Sequence, residues 1–295
     1  MKHRYLEPKA VTRLRNLELV ARLVVEGFIS GRHRSPFHGF SVEFADHRQY
    51  VVGDDLRFLD WKVYGKQDRL YVKRFEEETN LRAHLLIDRS RSMAFKSGEL
   101  SKLEYACYCA ASLAYLMIQQ RDAVGLATFD HEIHTRITPS SRRSQLNLLL
   151  SKLDECVPGS DTDLSETLHE LAERVRRRGL IVLFSDLLDE QAAVINALQH
   201  FRHRKHEVLV FHVMDPAEVN LPFQGVTRFR DMESPRELLA NPALLREQYV
   251  ERFKAFADYY REQCGRLKID YIPVNTETPY DEFLSQYLIR RSRSG

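Results

Sequence analysis

The sequence predicts an α/β protein: a doubly wound, mostly parallel sheet preceded by a small region of one helix and antiparallel strands. Three observations carry this. Apolar runs that do not alternate with polar residues (Ala83–Ile87, Ala123–Phe129, Leu180–Phe184, Val208–Val213) are separated by helical patterns. Strands of that kind are covered on both faces, as in a parallel sheet between two helix layers. Upstream, Phe40, Val42 and Phe44, then Leu70 and Val72, alternate with polar residues as half-buried strands do. The chain, at 295 residues, is long enough to bury a large core in one or two domains.

Val11, Leu14, Val20, Leu23 and Val24 recur at helical spacing, predicting an amphipathic helix over 8–26 before Gly27 and Gly31. The alternating strands flank Gly53-Asp54-Asp55-Leu56-Arg57-Phe58-Leu59-Asp60-Trp61-Lys62, which holds the only tryptophan. Here Arg57 and Asp60 are read as tying the small region to the main domain, with Trp61 packed between. The expected division is therefore 1–80 and 81–295. In the second part, long or amphipathic helices are predicted over 103–118, 146–153, 165–177, 191–201, 242–267 and 280–289. Further strands are predicted over 133–137, 226–229 and 269–274. Arg176-Arg177-Arg178 before Gly179 reads as a helix end with dipole-compensating charge, and 290–295 as a frayed tail.

Composition removes several function classes. Lys plus Arg total 44 against 42 Asp plus Glu, a net charge of +2, which weighs against a dedicated nucleic-acid binder. The 12 glycines form no phosphate-binding loop pattern, and no nucleophile elbow occurs. Cys107, Cys109, Cys156 and Cys264 make no C-x-x-C and read as free thiols in a reducing compartment. No leader and no apolar stretch of the ~18–20 residues that span a membrane is visible. A cytoplasmic location is expected. His131-x-x-His134 lies in a hairpin, where residues three apart should face opposite sides, and His200, His203 and His206 straddle a helix end. Neither set is expected to bind zinc.

Ligands of doubly wound sheets sit outside the carboxyl ends of the strands. The first apolar strand ends there in Asp88-Arg89-Ser90-Arg91-Ser92. An aspartate and two serines at alternate positions offer hard oxygens, which suit a hard cation such as Mg²⁺. Two more oxygen-bearing segments occupy comparable places: Gly159-Ser160-Asp161-Thr162-Asp163 before a helix, and Ser185-Asp186 closing a strand. Three such segments at one sheet edge can converge on one ion.

Together, D-x-S-x-S, a later loop threonine and a strand-terminal aspartate resemble the metal-ion-dependent adhesion site of von Willebrand factor A domains. The resemblance maps onto Asp88, Ser90, Ser92, Thr162 and Asp186. With the Gly53–Lys62 segment upstream, and Asp215-Pro216-Ala217-Glu218 and Asp231-Met232-Glu233 downstream, the chain resembles the bacterial family called domain of unknown function 58. The likeness runs from about residue 14 to 288. It implies weakly bound Mg²⁺ (or Mn²⁺) with one open coordination position that a partner's Asp or Glu fills. It also implies companionship with MoxR-type AAA+ ATPases.

The expectation is thus a non-enzymatic interaction module, an adaptor or co-chaperone, with Arg89 and Arg91 flanking the ion and holding an acidic partner surface. Two other readings stay open. One is a metal-dependent hydrolase using the same ion with Asp161 or Asp163 as base. The other is a nucleic-acid-binding protein.

Overall fold

Unbroken apolar runs become interior strands because both their faces must be covered. The computed structural model describes residues 42–50, 63–65, 70–77, 81–159, 163–232 and 236–294. Among the described residues the chain falls into two compact units, 42–77 and 81–294. In the first unit, β1 (Val42–Gln49) and β2 (Tyr71–Glu77) pair antiparallel, with Val42 opposite Glu77 and Gln49 opposite Tyr71. The helix expected over 8–26 and the Gly53–Lys62 segment lie outside the described residues.

In chain order the second unit comprises β3 (Arg82–Asp88), α1 (Lys102–Gln119), β4 (Ala123–Phe129), β5 (Ile133–Ser140), α2 (Arg143–Asp154), α3 (Leu164–Arg174) and β6 (Leu180–Ser185). It continues through α4 (Gln191–His203), β7 (Glu207–Met214), α5 (Pro216–Asn220), β8 (Thr227–Arg230), β9 (Glu237–Ala240), α6 (Pro242–Arg266), β10 (Asp270–Asn275) and α7 (Tyr280–Ser294). Six strands form one sheet in the order β10-β7-β6-β3-β4-β5, parallel except for β5 at one edge. The β8–β9 hairpin is a separate antiparallel pair. This is the doubly wound, mostly parallel α/β fold that the sequence predicts.

Two apolar cores lie on the two faces. Leu85, Ile87, Leu126 and Val182 pack with α1, α2 and α7, and Leu86, Phe129, Ile181 and Leu183 pack with α3, α4 and α6. Alternate residues of β3 therefore serve opposite cores, and each fully buried aliphatic or aromatic side chain contributes about 1.5–3 kcal/mol. Helix α1 is nearly buried all round. A capping box starts it, with Ser101 accepting from the Glu104 amide and Glu104 accepting from the Ser101 amide.

The chain runs from β3 outward to β4 and β5, then returns to β6 on the other side of β3. The strand order reverses between β3 and β6, so the crevice outside their carboxyl ends is where a ligand site is expected. Asp88 closes β3 and Asp186 follows β6.

Three local expectations are corrected. Helix α3 stops at Arg174 rather than 177, because Val175 turns extended and is buried, leaving Arg176, Arg177 and Arg178 exposed beyond the helix. Gly179 is required by close approach, since a Cβ there would run into the Arg82 carbonyl. The tail is helical to Ser294, and Arg291 pairs with Asp270 at 2.8 Å. His131 and His134 do not diverge. The β4–β5 hairpin shifts register at Phe129, so both rings reach Asp130 Oδ1, at 2.9 and 2.7 Å.

All four cysteines are free and buried. Among the described residues no helix is long and apolar enough to cross a membrane.

Candidate functional site

At the β3–β6 crevice the chain leaves β3 in a tight turn. The Asp88 Oδ1 accepts from the Ser90 amide at 2.8 Å, which folds the D-x-S-x-S segment back on itself and leads into a 3-10 turn over Arg91–Ala94. Its Oδ2 accepts from the Ser185 hydroxyl at 2.6 Å, joining β3 to β6. The Ser90 and Ser92 hydroxyl oxygens lie 3.0 Å apart. The nearby Ser92 side chain favours the ionised form of Asp186. Asp88, Ser90, Ser92 and Asp186 thus form one group, with Asp88, Ser90 and Asp186 almost wholly shut from water. Thr162 and Asp161 lie outside the described residues.

The turn after β6 is strained. Leu187 has φ +57°, a left-handed conformation that costs an L-residue roughly 1–2 kcal/mol. Its amide donates to Ser185 Oγ at 3.0 Å and its carbonyl accepts from the buried Tyr260 hydroxyl at 3.1 Å. These contacts, with a fully buried Leu187 side chain, hold Asp186 facing the crevice side of the turn.

The electrostatics follow from two carboxylates sharing one dry place. Burial, then the charge of Asp186, pushes the Asp88 carboxyl up to about 7. Burial also acts upward on Asp186, but the Lys102 ammonium overrides it and holds Asp186 below the usual carboxylate range. The Lys102 Nζ donates to Asp186 Oδ2 at 2.8 Å and to Glu218 Oε1 at 2.5 Å. Burial alone would lower Lys102, yet the two anions raise it.

Lys102, fully buried, is the member that sequence reasoning missed. A signal existed: it is the one cation in the first turn of an otherwise apolar helix, where the macrodipole disfavours positive charge. Asp215, in the downstream Asp215-Pro216-Ala217-Glu218 segment, has a structural part here. It caps α5 and accepts from the Ser97 amide and hydroxyl, at 2.8 and 2.5 Å, so it ties the loop after Ser92 to that helix.

Arg89 and Arg91 are placed differently. Arg89 turns inward, its Nε 3.5 Å from Asp130 Oδ2 and its side chain 17% exposed. Arg91 is exposed and donates to the Met232 carbonyl at 3.2 Å. Of the two, only Arg91 stands where a partner surface can meet it. Gly159 fits this corner because a Cβ would collide with the Asp130 carboxylate. Asp163 caps α3, its Oδ1 accepting from the Glu166 amide at 3.0 Å and the Ser165 hydroxyl at 3.3 Å.

The donor set is chemically suited to a hard dication: two carboxylates and two hydroxyls, all oxygen. No group of three or more His, Cys, Asp and Glu residues is gathered for a metal among the described residues, so hydroxyls must supply part of any coordination. A cavity of about 360 Å³ opens beside Ser92, lined also by Phe95, Leu188, Glu218, Asp231 and Met232. Its charged lining side chains are both acidic, which favours a cation.

The uncharacterized proteins Mb1516 of Mycobacterium bovis and Rv1480 of Mycobacterium tuberculosis are 29% identical over 245 residues, spanning 81% of this chain and 76% of theirs. Among solved structures, the conserved hypothetical protein BatB from Bacteroides thetaiotaomicron overlaps with a TM-score of 0.48 at 17% identity, over 73% of this chain and 100% of that one. The SpRpn10 VWA domain overlaps with a TM-score of 0.39 at 10% identity, over 70% and 95%. The family described as protein of unknown function DUF58 matches residues 46–257, more than half of the sequence, and the chain belongs to that family.

Proposed function

We propose that this protein is a protein-interaction module whose recognition point is a divalent cation, Mg²⁺ or Mn²⁺, held by Asp88, Ser90, Ser92 and Asp186 with Thr162. The observation that carries the reading is the gathering of Asp88, Ser90, Ser92 and Asp186 at the sheet's switch point, where Asp88 accepts from the Ser90 amide and the Ser90 and Ser92 hydroxyl oxygens lie 3.0 Å apart. Two buried carboxylates beside each other repel, and a dication between them removes that cost. A bound dication with mostly neutral ligands supplies a Lewis-acidic position that a partner's Asp or Glu oxygen can take.

The chain's own residues prepare this. Ser185 and the Ser90 amide fix the orientation of Asp88. Lys102 keeps Asp186 ionised. Arg91, at the exposed rim, adds attraction for an acidic surface, acting mainly on the association rate. The partner proposed from the family resemblance is a MoxR-type AAA+ ATPase, or a client that it remodels, with this protein as adaptor. The hydrolase alternative gains no base from Asp163, whose Oδ1 is used by the first turn of α3.

The test is a pull-down from lysate with Mg²⁺ or EDTA, using wild type and Asp88→Ala, followed by mass spectrometry. An AAA+ ATPase present only with Mg²⁺ and wild-type protein supports the reading. A partner set indifferent to both EDTA and Asp88→Ala contradicts it.

A further inference from the structure

At the opposite end of β3 from Asp88, roughly 20 Å away at ~3.3 Å per residue, lies a second cavity of about 590 Å³. It exists because α3 stops at Arg174. Leu86, Ala127 and Arg136 form one row across β3, β4 and β5 on the face that α3 covers. On β3 that face continues, two residues at a time, through His84 to Arg82. Beyond the end of α3 these residues have no helix over them, and they are cationic or polar where the rest of the face is apolar.

Arginines from three separate segments line the space: Arg82 opening β3, Arg136 on β5, and Arg176 and Arg177 in the turn before β6. Among the described residues none of these four pairs with a carboxylate, whereas their neighbours Arg174 and Arg178 pair with Glu170 and Glu207. Among the described residues Glu173 is the only acidic side chain in the lining. Helix α3 presents its negative end here, but Arg136 Nη2 donates to the Arg174 carbonyl at 3.1 Å and offsets it. Burial, then His206, Arg136 and Arg82, lowers His84 to about 4, so its ring is neutral and can both donate and accept.

We infer that this cavity is a binding site for a small anion carrying two or more linked phosphates, of nucleoside di- or triphosphate size. Four guanidiniums without a carboxylate partner repel one another, and one multiply charged ligand relieves all of them at once. Guanidinium forks match phosphate oxygens in pairs. A single carboxylate or monovalent anion is too small and too weakly charged to span arginines from three segments. The volume is in the range of small-ligand pockets. This site stands independently of the cation reading, and its test is run in EDTA so that the Asp88 end is silent.

The experiment is isothermal titration of the intact protein with tripolyphosphate, ADP and sulfate at matched ionic strength, on wild type, Arg177→Gln and Arg136→Gln/Arg177→Gln. Both arginines are exposed, so folding should survive, and circular dichroism checks it. Saturable 1:1 binding of tripolyphosphate and ADP is expected, with sulfate at least tenfold weaker. The single variant should lose several-fold in affinity and the double variant tenfold or more. The His84 imidazole resonance should move downfield on adding tripolyphosphate, toward the protonated form. No saturable binding, or equal binding in the variants, would overturn the inference. So would binding confined to long polyanions such as an oligonucleotide, which would make the arginines a nucleic-acid contact.

Discussion

The Lys102 ammonium stands 2.8 Å from Asp186 Oδ2, with both side chains almost completely removed from water. Removing one partner of such a pair leaves an uncompensated buried charge. Lys102→Met should therefore destabilise the metal-free protein by about 3–5 kcal/mol. Mg²⁺ or Mn²⁺ should then raise its melting temperature more than that of wild type, because the dication becomes the main counter-charge of Asp186. Thermal unfolding of both proteins with and without metal reads this. An equal metal response in both would mean that Asp186 does not contact the ion.

Ser90→Ala/Ser92→Ala removes two neutral donors while leaving both carboxylates. Ligand binding to the folded state alone stabilises it, so Mg²⁺ should raise the wild-type melting temperature and leave the double variant unmoved. Differential scanning fluorimetry over a metal titration is sufficient. Similar shifts in both proteins would separate the serines from the metal.

Tyr260→Phe isolates the strained turn after β6. Losing the hydroxyl bond to the Leu187 carbonyl should cost about 0.5–1.5 kcal/mol. Because the same turn aims Asp186, metal affinity should fall with it. A stability loss with unchanged metal affinity would show that the turn holds its shape without Tyr260.

Asp122 supplies a pH test away from the site. It is buried, its Oδ1 accepts from the Leu81 amide at 3.2 Å, and its Oδ2 has no hydrogen-bond partner. Burial raises its pKa from 3.8 to about 8, against the opposing Leu81 bond. The folded state thus holds a proton that the unfolded state releases. Its contribution to stability is complete below about pH 4 and is lost as pH rises toward about 8. Asp122→Asn keeps the acceptor and removes the charge. It should gain on the order of 1–3 kcal/mol at pH 8 and little at pH 4, as denaturant melts at the two pH values will show. A gain independent of pH would mean that Asp122 is not protonated in the folded protein.

The parts of the fold legible in the sequence are those fixed by burial. Runs such as Leu180–Phe184 must be interior strands, and 103–118 must be a helix covered on nearly all sides. Pieces fixed by a single local contact were not legible. The Arg176-Arg177-Arg178-Gly179 run reads as a helix end, but Val175 is drawn into the core and Gly179 is set by the Arg82 carbonyl. Short α5 and β9 carry no periodicity long enough to register. In the candidate site, Asp88, Ser90, Ser92 and Asp186 were readable because they lie where strands end. Lys102 and Glu218 were not paired with them, because 84 residues of chain separate Lys102 from Asp186 and only the folded sheet closes that gap. Arg89 looked like Arg91, yet backbone direction turns one inward to Asp130 and the other outward.

The central claim is that Asp88, Ser90, Ser92 and Asp186 hold one divalent ion, and counting bound Mn²⁺ tests it most directly. Free Mn²⁺ gives a sharp six-line electron paramagnetic resonance signal that broadens on binding. Titrating the purified protein should show one site per chain, displaced by excess Mg²⁺, abolished in Asp88→Ala and in Ser90→Ala/Ser92→Ala, and unaffected in Arg136→Gln/Arg177→Gln. Absence of any saturable site, or a site that survives both Asp88→Ala and the double serine variant, would contradict the account.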